Sequence, residues 1–465
     1  MSMYSSSHLG KLRTAIIICC LILILGIFGY AYLIDGDNKV LPKDEIENNI
    51  SELSDKDYGY TYVSSYAKKY GVGNLNSYKF NTIESMLESG FYKQLPDEKT
   101  LAKDSVLLFM EYYYDRIDLN DKEAVTDALL NCMIASIGDP YAYYRTKEEF
   151  EQFESDLAGG EEFVGIGVLI QQNLETGTLE VITVYPGSGA EEAGIKPYDL
   201  IHAVNGKTGE EVTPDEMTEI MRGEENTSVE VTVKRGDELL TFTVTRKKIV
   251  ASSVTYRMDQ DNVGYIQISQ FLQDTPYAFK TAVDFCVQNG AVALVIDVRN
   301  NPGGLLYAVE EVIDYLVPDA EGRRIDSYTQ NSGETVCYTT DGHGVDLPIA
   351  VLCDGGTASA GELFTAAMRD YGDAGILDTV IVGTNTFGKG IVQSSYPLYD
   401  GSAITFTIGY FNPPSDVNFN GVGIAPDIEM TRTLGHDETF DLAKTEVLKM
   451  ANTNDGAPVY YDAAA

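Results

Sequence analysis

Basic residues are scarce: 33 Lys and Arg stand against 71 Asp and Glu in 465 residues, a formal charge of −38. A field of that sign repels phosphates and anionic headgroups, which argues against nucleic acid as a partner and means that any membrane contact needs a hydrophobic cause. Histidine is scarcer still, at four residues. His8 precedes the first apolar run, His202 falls among short strands, His343 lies in a polar loop and His436 near the tail, so none follows a strand end where a Ser/His/Asp triad would need it. Of the six cysteines, Cys19 and Cys20 sit inside an apolar run, and Cys132, Cys286, Cys337 and Cys353 are widely spaced. Without a CxxC pair they imply neither a zinc knuckle nor a disulfide framework, and buried free thiols are the expectation. No cluster of His, Cys and Asp has ligand spacing, so no metal and no organic cofactor is expected. The chain shows no internal repeat, and its length predicts about three domain-sized units. Hydrophobic residues at 44%, with 31 Tyr, are ample for packed cores.

The hydrophobic cause is Thr14 to Ile34, TAIIICCLILILGIFGYAYLI, 21 residues without a charge. As a helix it crosses about 30 Å of hydrocarbon. Lys11 and Arg13 precede it and Asp35, Asp37 and Asp44 follow, which places the N-terminus in the cytoplasm and the rest across the membrane. A cleaved signal peptide is the other reading; the run exceeds a usual h-region, and GIFGYAY ends without a small-x-small site. Residues 35–100 are polar and weakly periodic at first, as a stalk would be. From Leu101 the period turns helical, through Val106, Phe109, Met110 and Tyr113 and then Ala124, Ala128, Leu129 and Cys132, up to the break at Gly138-Asp139-Pro140. Phe150 to Leu157 predicts another short helix.

Residues 162–249 change period again, into short strands separated by Gly, Pro, Asn and Asp turns, with a helix over Pro214 to Met221. The stretch GSGAEEAGIKPYDLIHAVNG, Gly187 to Gly206, together with GIG after Phe163-Val164, resembles a PDZ domain. The resemblance implies that the backbone N–H groups at Val164, Gly165, Ile166 and Gly167 cradle a terminal carboxylate while an extended peptide adds to the sheet edge. A tight strand-to-turn glycine pair with no ligand is the alternative for GIG. Val164 stands where that family usually has Gly or Ser, and Tyr198-Asp199-Leu200 replaces its Gly-Asp-x-Ile turn.

Residues 263–427 alternate strands (GYIQIS, ALVIDV, PIAVLC, TVIVG) with helices expected over 276–288, 304–315 and 360–371, followed by the strand pair GIVQSSYPL and AITFTIGYF. In PIAVLCDGGTASAGELF an apolar strand ends at Asp354 and a helix begins at Ser359. That puts a hydroxyl at the positive end of a helix, where it serves either as a nucleophile or as an N-cap completed by Glu362 at +3. With no histidine at hand, the activator would be a neutral lysine, and Lys389 in GTNTFGKGIVQ follows a strand and is flanked by Gly388 and Gly390. A solvent-exposed turn lysine is the plainer reading of the same pattern. A third strand end, LVIDVRNNPGGLL, offers N–H groups at Gly303 and Gly304 that, with the Ala360 amide, could receive an oxyanion.

These motifs occur in the order found in the carboxyl-terminal processing peptidases, Ser/Lys endopeptidases with an embedded PDZ domain, and from Leu101 to Met450 the chain resembles that family. The resemblance implies an α/β protease core of the crotonase-like type with an inserted, mostly β PDZ domain, N-terminal helices and one transmembrane helix. The implied division is 1–13 cytoplasmic tail, 14–34 anchor, 35–100 stalk, 101–158 helical region, 159–249 PDZ domain, 250–430 protease core and 431–465 C-terminal helix and tail. By the same resemblance Ser359 is the nucleophile, Lys389 the general base and Gln393 its orienting acceptor, with Glu362 and Asp370 as supporting polar groups. The implied partners are a protein or peptide substrate, the membrane through the N-terminal helix, and a second copy through the Leu101 to Ile137 helices. A catalytically silent PDZ scaffold and a carrier of apolar small molecules are the competing functions; the joint presence of Ser359 and Lys389 speaks against the carrier.

Overall fold

The computed structural model describes residues 60–69, 71–72, 75–160, 162–173, 176–318, 322–330, 333–342, 344–453 and 460–461. The apolar run at 14–34, the segment before it and most of the tail lie outside these residues. Among the described residues no helix is long and apolar enough to cross a membrane. The described residues fall into two units, those within 60–75 and 98–133 and those within 76–97 and 134–461.

In the first unit the helices Tyr60–Lys69, Glu98–Tyr112 and most of Lys122–Ala135 are built on buried apolar positions including Val63, Ala67, Val106, Phe109, Leu129 and Met133. The expected stalk over 35–100 is therefore corrected. Residues 60–69 are helical, and Ser77–Gly90 is a capped helix of the second unit whose Phe80, Ile83 and Leu87 are buried. Its end packs on the Ala403–Asn412 strand, with the Phe91 and Phe406 rings 6.4 Å apart. Three apolar residues on one face suffice for a helix with a tertiary partner, and the polar residues between them hide the stripe.

The second unit is organised by a six-stranded sheet in the order Val254–Met258, Val263–Ile268, Ala293–Asp297, Ile349–Cys353, Thr379–Gly383, Ile428–Glu429. Only the first pairing is antiparallel. The central strands are buried on both faces, which is why they read as unbroken apolar runs. Helices Thr275–Gln288, Leu306–Leu316 and Ala360–Asp373 cover one face around Phe271, Phe279 and Phe364, and Glu438–Thr453 covers the other through Phe440, Ala443 and Val447. A second sheet joins Tyr143–Arg145, Ala403–Asn412, Arg324–Gln330 and Thr335–Thr339, with Ile391–Pro397 paired to Ala403–Asn412. Cys132, Cys286 and Cys353 are buried and free; Cys337 is free but exposed on the edge strand Thr335–Thr339, against the expectation of burial.

Residues 162–250 form two antiparallel sheets, the pair Glu162–Gly165 and Lys247–Val250 and a six-stranded sheet in which, among the described residues, Val168–Gln172 is an edge strand paired with Leu179–Val184. This module is fastened to the six-stranded α/β core. Buried Glu180 receives Arg432 through two hydrogen bonds of 2.7 and 2.6 Å and the Gly435 N–H at 2.9 Å. Arg299, itself paired with Asp297 and Asp437, reaches the Tyr198 hydroxyl at 3.2 Å.

Candidate active site

The strand Ile349–Cys353 ends in a turn that Asp354 closes by accepting the N–H groups of Gly356 and Asn300, both at 2.9 Å. The next element begins at Ser359, the N-cap of Ala360–Asp373, with φ 54° and ψ −117°. A non-glycine residue at positive φ is strained by about 1–3 kcal/mol and persists only where its surroundings impose it. Here the Ser359 N–H donates to Glu362 Oε2 at 3.0 Å, and its hydroxyl makes no capping bond. The N-cap reading therefore describes the backbone, and the hydroxyl is left for other work.

Glu362 is fully buried and joins two loops. Besides Ser359, its Oε2 accepts the Lys389 N–H at 2.7 Å; Oε1 accepts the Gly388 N–H and the Thr386 hydroxyl, both at 2.6 Å. Burial raises its carboxyl above the ordinary value, while these four donors favour the carboxylate. The loop after the Thr379–Gly383 strand is thereby held against the mouth of the Ser359 helix.

Lys389 is half-buried. Its Nζ donates to Gln393 Oε1 at 2.9 Å and lies 4.4 Å from the centre of the Tyr141 ring. Desolvation pulls the ammonium down to about 8, against Asp139 and Glu362, whose charges favour protonation. Gly388, at φ 97°, and Gly390 let the backbone pass close to 418–423, where an added Cβ at either would meet atoms at 3.1 Å or less. The turn-lysine reading fails on this geometry. Among the described residues no histidine is hydrogen-bonded to Ser359 or Lys389; His202 and His436 are exposed, and His8 and His343 lie outside those residues.

The loop after Ala293–Asp297 comes to the same place. A Cβ on Gly303 would stand 2.7 Å from Ser359 Cβ and 2.9 Å from the Ala360 nitrogen. The expected donor role of Gly303 is corrected: its N–H is committed to Asn301 Oδ1 at 2.8 Å, and Asn301 is anchored in turn to the Ile268 carbonyl. Among the described residues the N–H groups of Gly304 and Ala360 carry no hydrogen bond. Asp370 is also corrected, since it lies eleven residues beyond Ser359 on one helix, about 16 Å away at 1.5 Å per residue, and accepts the Ser415 N–H.

In the PDZ-like module, Val164 and Gly165 belong to the strand Glu162–Gly165, paired with Lys247–Val250. Gly165 also bridges to Arg222. Ile166 is a core residue, its carbonyl accepting the Ala190 N–H, and Gly167, at φ 83°, accepts the Tyr185 N–H. The edge strand Val168–Gln172 faces the core loops, with Gln171 Nε2 donating to Asn300 Oδ1 at 3.2 Å beside a cavity of about 480 Å3 lined also by Asp354 and Arg299. The sequence does not single out Asp139, Tyr141, Asn301 or Thr386; Gly138-Asp139-Pro140 reads as a helix break, and Asp139 and Tyr141 otherwise enter only within the family-like stretch IGDPYAYYRTKEEFEQF.

Residues 262–430 match peptidase family S41, and residues 164–245 match the PDZ domain family. A protein of Staphylococcus aureus (strain COL) described as a CtpA-like serine protease is 34% identical over 325 residues, which cover 69% of this chain and 62% of that protein. Its counterpart in Staphylococcus haemolyticus (strain JCSC1435) is 33% identical over 307 residues, covering 66% of this chain and 60% of that one. The chain thus spans less than two thirds of the length of these relatives. A solved Bacteroides fragilis structure assigned to S41 aligns with 80% of this chain and 98% of its own at a TM-score of 0.55 and 17% identity, a likeness of fold.

Proposed function

The chain carries a peptidase family S41 domain behind a PDZ domain, as its motifs implied, and from that premise we propose that it is a serine endopeptidase of the carboxyl-terminal processing type. The PDZ domain takes the C-terminus or an extended segment of a protein substrate along the Val168–Gln172 edge. A cavity lies between that edge and the 299–300 loop, lined by Gln171, Arg299, Asn300 and Asp354. Lys389, as the free amine, accepts the Ser359 Oγ proton while Oγ attacks the scissile carbonyl carbon. The oxyanion is received by the N–H groups of Ala360 and Gly304. The ammonium then protonates the leaving amine nitrogen as the C–N bond breaks, and water enters by the same relay to release the acid from Ser359. The apolar run at 14–34 tethers the enzyme with the catalytic part outside the cytoplasm, and the helices from Leu101 to Ile137 are its contact with a second copy.

The observation that carries this reading is the Lys389 amine held on the neutral Gln393 Oε1 at 2.9 Å, on a loop tied to the Ser359 turn through Glu362. The test is incubation of the purified protein with an unfolded protein substrate, for wild type, Ser359→Ala and Lys389→Ala. Cleavage by the wild type alone is expected. Equal cleavage by all three defeats the peptidase assignment, and no cleavage by any, with peptide binding retained, favours a silent scaffold.

A further inference from the structure

Resting on the reading of Lys389 as general base, we infer that Tyr141 is the positioning residue that aims the Lys389 lone pair at Ser359, acting through its ring on the amine and through its carbonyl on Gln393. A neutral primary amine has three positions around nitrogen besides its carbon: two hydrogens and one lone pair. To work as a base toward Ser359, the lone pair must occupy one particular position, so the other two need partners that take N–H. Gln393 Oε1 takes one at 2.9 Å. The face of the Tyr141 ring, 4.4 Å from Nζ, takes the second, since the face of an aromatic ring attracts positive hydrogen. The third position is left for the serine hydroxyl.

Tyr141 also decides which end of Gln393 meets the lysine. Gln393 Nε2 donates to the Tyr141 carbonyl oxygen, which can only accept. The amide is therefore fixed with its oxygen toward Lys389, and a flip would set N–H against N–H. Tyr141 is itself held where both contacts form. Buried Asp139 accepts the Tyr141 N–H at 3.0 Å through Oδ1 and the Thr407 N–H at 3.1 Å through Oδ2. Thr407 is the residue paired with Gln393 across the Ile391–Pro397 and Ala403–Asn412 ladder, at the point where its register shifts. One carboxylate thus pins the 139–142 turn to the strand opposite Gln393.

The charged groups facing Lys389 are Asp139 and Glu362. Both are occupied by N–H or hydroxyl donors, and no carboxylate forms an ion pair with Nζ among the described residues. Its immediate partners are a neutral amide and a neutral ring, which orient the amine without locking the proton on it.

The experiment measures kcat and KM of the full chain against reduced, alkylated, fluorescein-labelled lysozyme between about pH 6 and 10, with Ser359→Ala as the blank. Tyr141→Leu removes the ring and Tyr141→Phe restores it; Gln393→Met removes the acceptor. Expected for Tyr141→Leu are a limiting kcat about ten- to a hundredfold lower, a KM within about twofold of wild type, and an acid limb moved down by about half to one pH unit as stabilisation of the ammonium is lost. Tyr141→Phe brings the limb back. The Leu/Met double variant loses little more than either single, because both substitutions free the same lone pair, whereas independent structural damage would add. Should the Leu variant melt below the assay temperature, Tyr141→Met stands in for it. A ring-less variant with the wild-type limb and kcat, a Phe variant as impaired as Leu, or fully additive losses overturns the positioning role. A wild type no better than the Ser359→Ala blank overturns the peptidase reading itself and this role with it.

Discussion

Ser359 and Lys389 donate their backbone N–H groups to one oxygen, Glu362 Oε2, at 3.0 and 2.7 Å. A residue at positive φ on one loop and a desolvated lysine on another are thereby fixed to each other through the main chain, before any side-chain contact between them is considered. The opposite oxygen holds Gly388 and Thr386. Registration of the proposed nucleophile and base thus rests on a single carboxylate that needs no proton-transfer role.

Glu362→Gln tests this directly. An amide offers one accepting oxygen in place of two, so its NH2 must face either the Ser359 and Lys389 pair or the Gly388 and Thr386 pair. A buried donor left without its acceptor costs about 1–3 kcal/mol. The expected outcome is a kcat about ten- to a thousandfold lower with KM little changed, together with a lower thermal midpoint. Wild-type kcat in a folded Glu362→Gln protein would refute the role assigned here.

On the proposed mechanism Lys389 makes the activity alkaline in preference. With its ammonium pulled down to about 8, the rate should rise roughly tenfold per pH unit below that value and level off above it. Its stability effect has the opposite direction to a salt bridge. Because the folded pKa lies below the unfolded value of 10.5, the unfolded chain binds more protons between the two, and stability rises with pH across that window. Below about 8 the cost of the buried ammonium is fully present, up to about 3 kcal/mol. Lys389→Met should therefore be inactive yet melt higher than wild type at neutral pH, with the gap closing toward pH 10. A lower melting point at neutral pH counts against the desolvated ammonium.

Glu310 and Asp326 form a buried carboxyl pair on the Leu306–Leu316 helix and the Arg324–Gln330 strand. Burial, reinforced at Glu310 by the Asp326 charge, pushes both well above the ordinary carboxylate range, Glu310 to about 9. The folded state holds protons that the unfolded chain gives up, so this pair loses stability as pH climbs from about 5 toward 9. Glu310→Gln keeps the size, supplies a donor that can face Asp326 and removes the charge. Its thermal midpoint relative to wild type should rise steadily over that interval, and a flat difference would show that the pair does not share a proton.

The parts of this site legible in the sequence were those with local signals. Ser359 and Lys389 each follow a buried strand at a glycine-rich turn, so short-range pattern was enough to nominate them, whereas Gln393 was named only through the family resemblance. The expected strands and helices of residues 263–412 fall at the observed positions for the same reason: apolar runs buried on both faces announce themselves. Tyr141 was not legible because its contact with Gln393 closes across 252 positions, and its segment reads only as a helix end. The strands Arg324–Gln330 and Thr335–Thr339 were missed because one face stays open and their residues are largely polar. Asp370 was named by resemblance alone; eleven residues beyond Ser359 on the same helix, it supports the Ser415 N–H and not the Ser359 turn.

Gly303 gives the sharpest geometric test. Sequence suggested it as an oxyanion donor, yet its N–H is occupied by Asn301, and what the site requires of it is the missing side chain. At φ 104° an L residue is strained, and its Cβ would meet Ser359 Cβ at 2.7 Å, the Ala360 nitrogen at 2.9 Å and the Ala358 carbonyl at 3.0 Å. None of these is the far end of a flexible side chain, so relief must come from moving the Ser359 turn away from the 299–304 loop. That movement separates the nucleophile from the Gly304 and Ala360 N–H groups. Displacement of about 1 Å at reacting groups costs about a hundredfold in rate. Gly303→Ala is therefore expected to fold, with a thermal midpoint several degrees lower, and to lose about a hundredfold or more in kcat with little change in peptide affinity. Asn301→Ala should do the same more mildly by loosening the loop. If Gly303→Ala keeps wild-type kcat, the close approach of these two turns is not part of catalysis, and the oxyanion site must be sought elsewhere around Ser359.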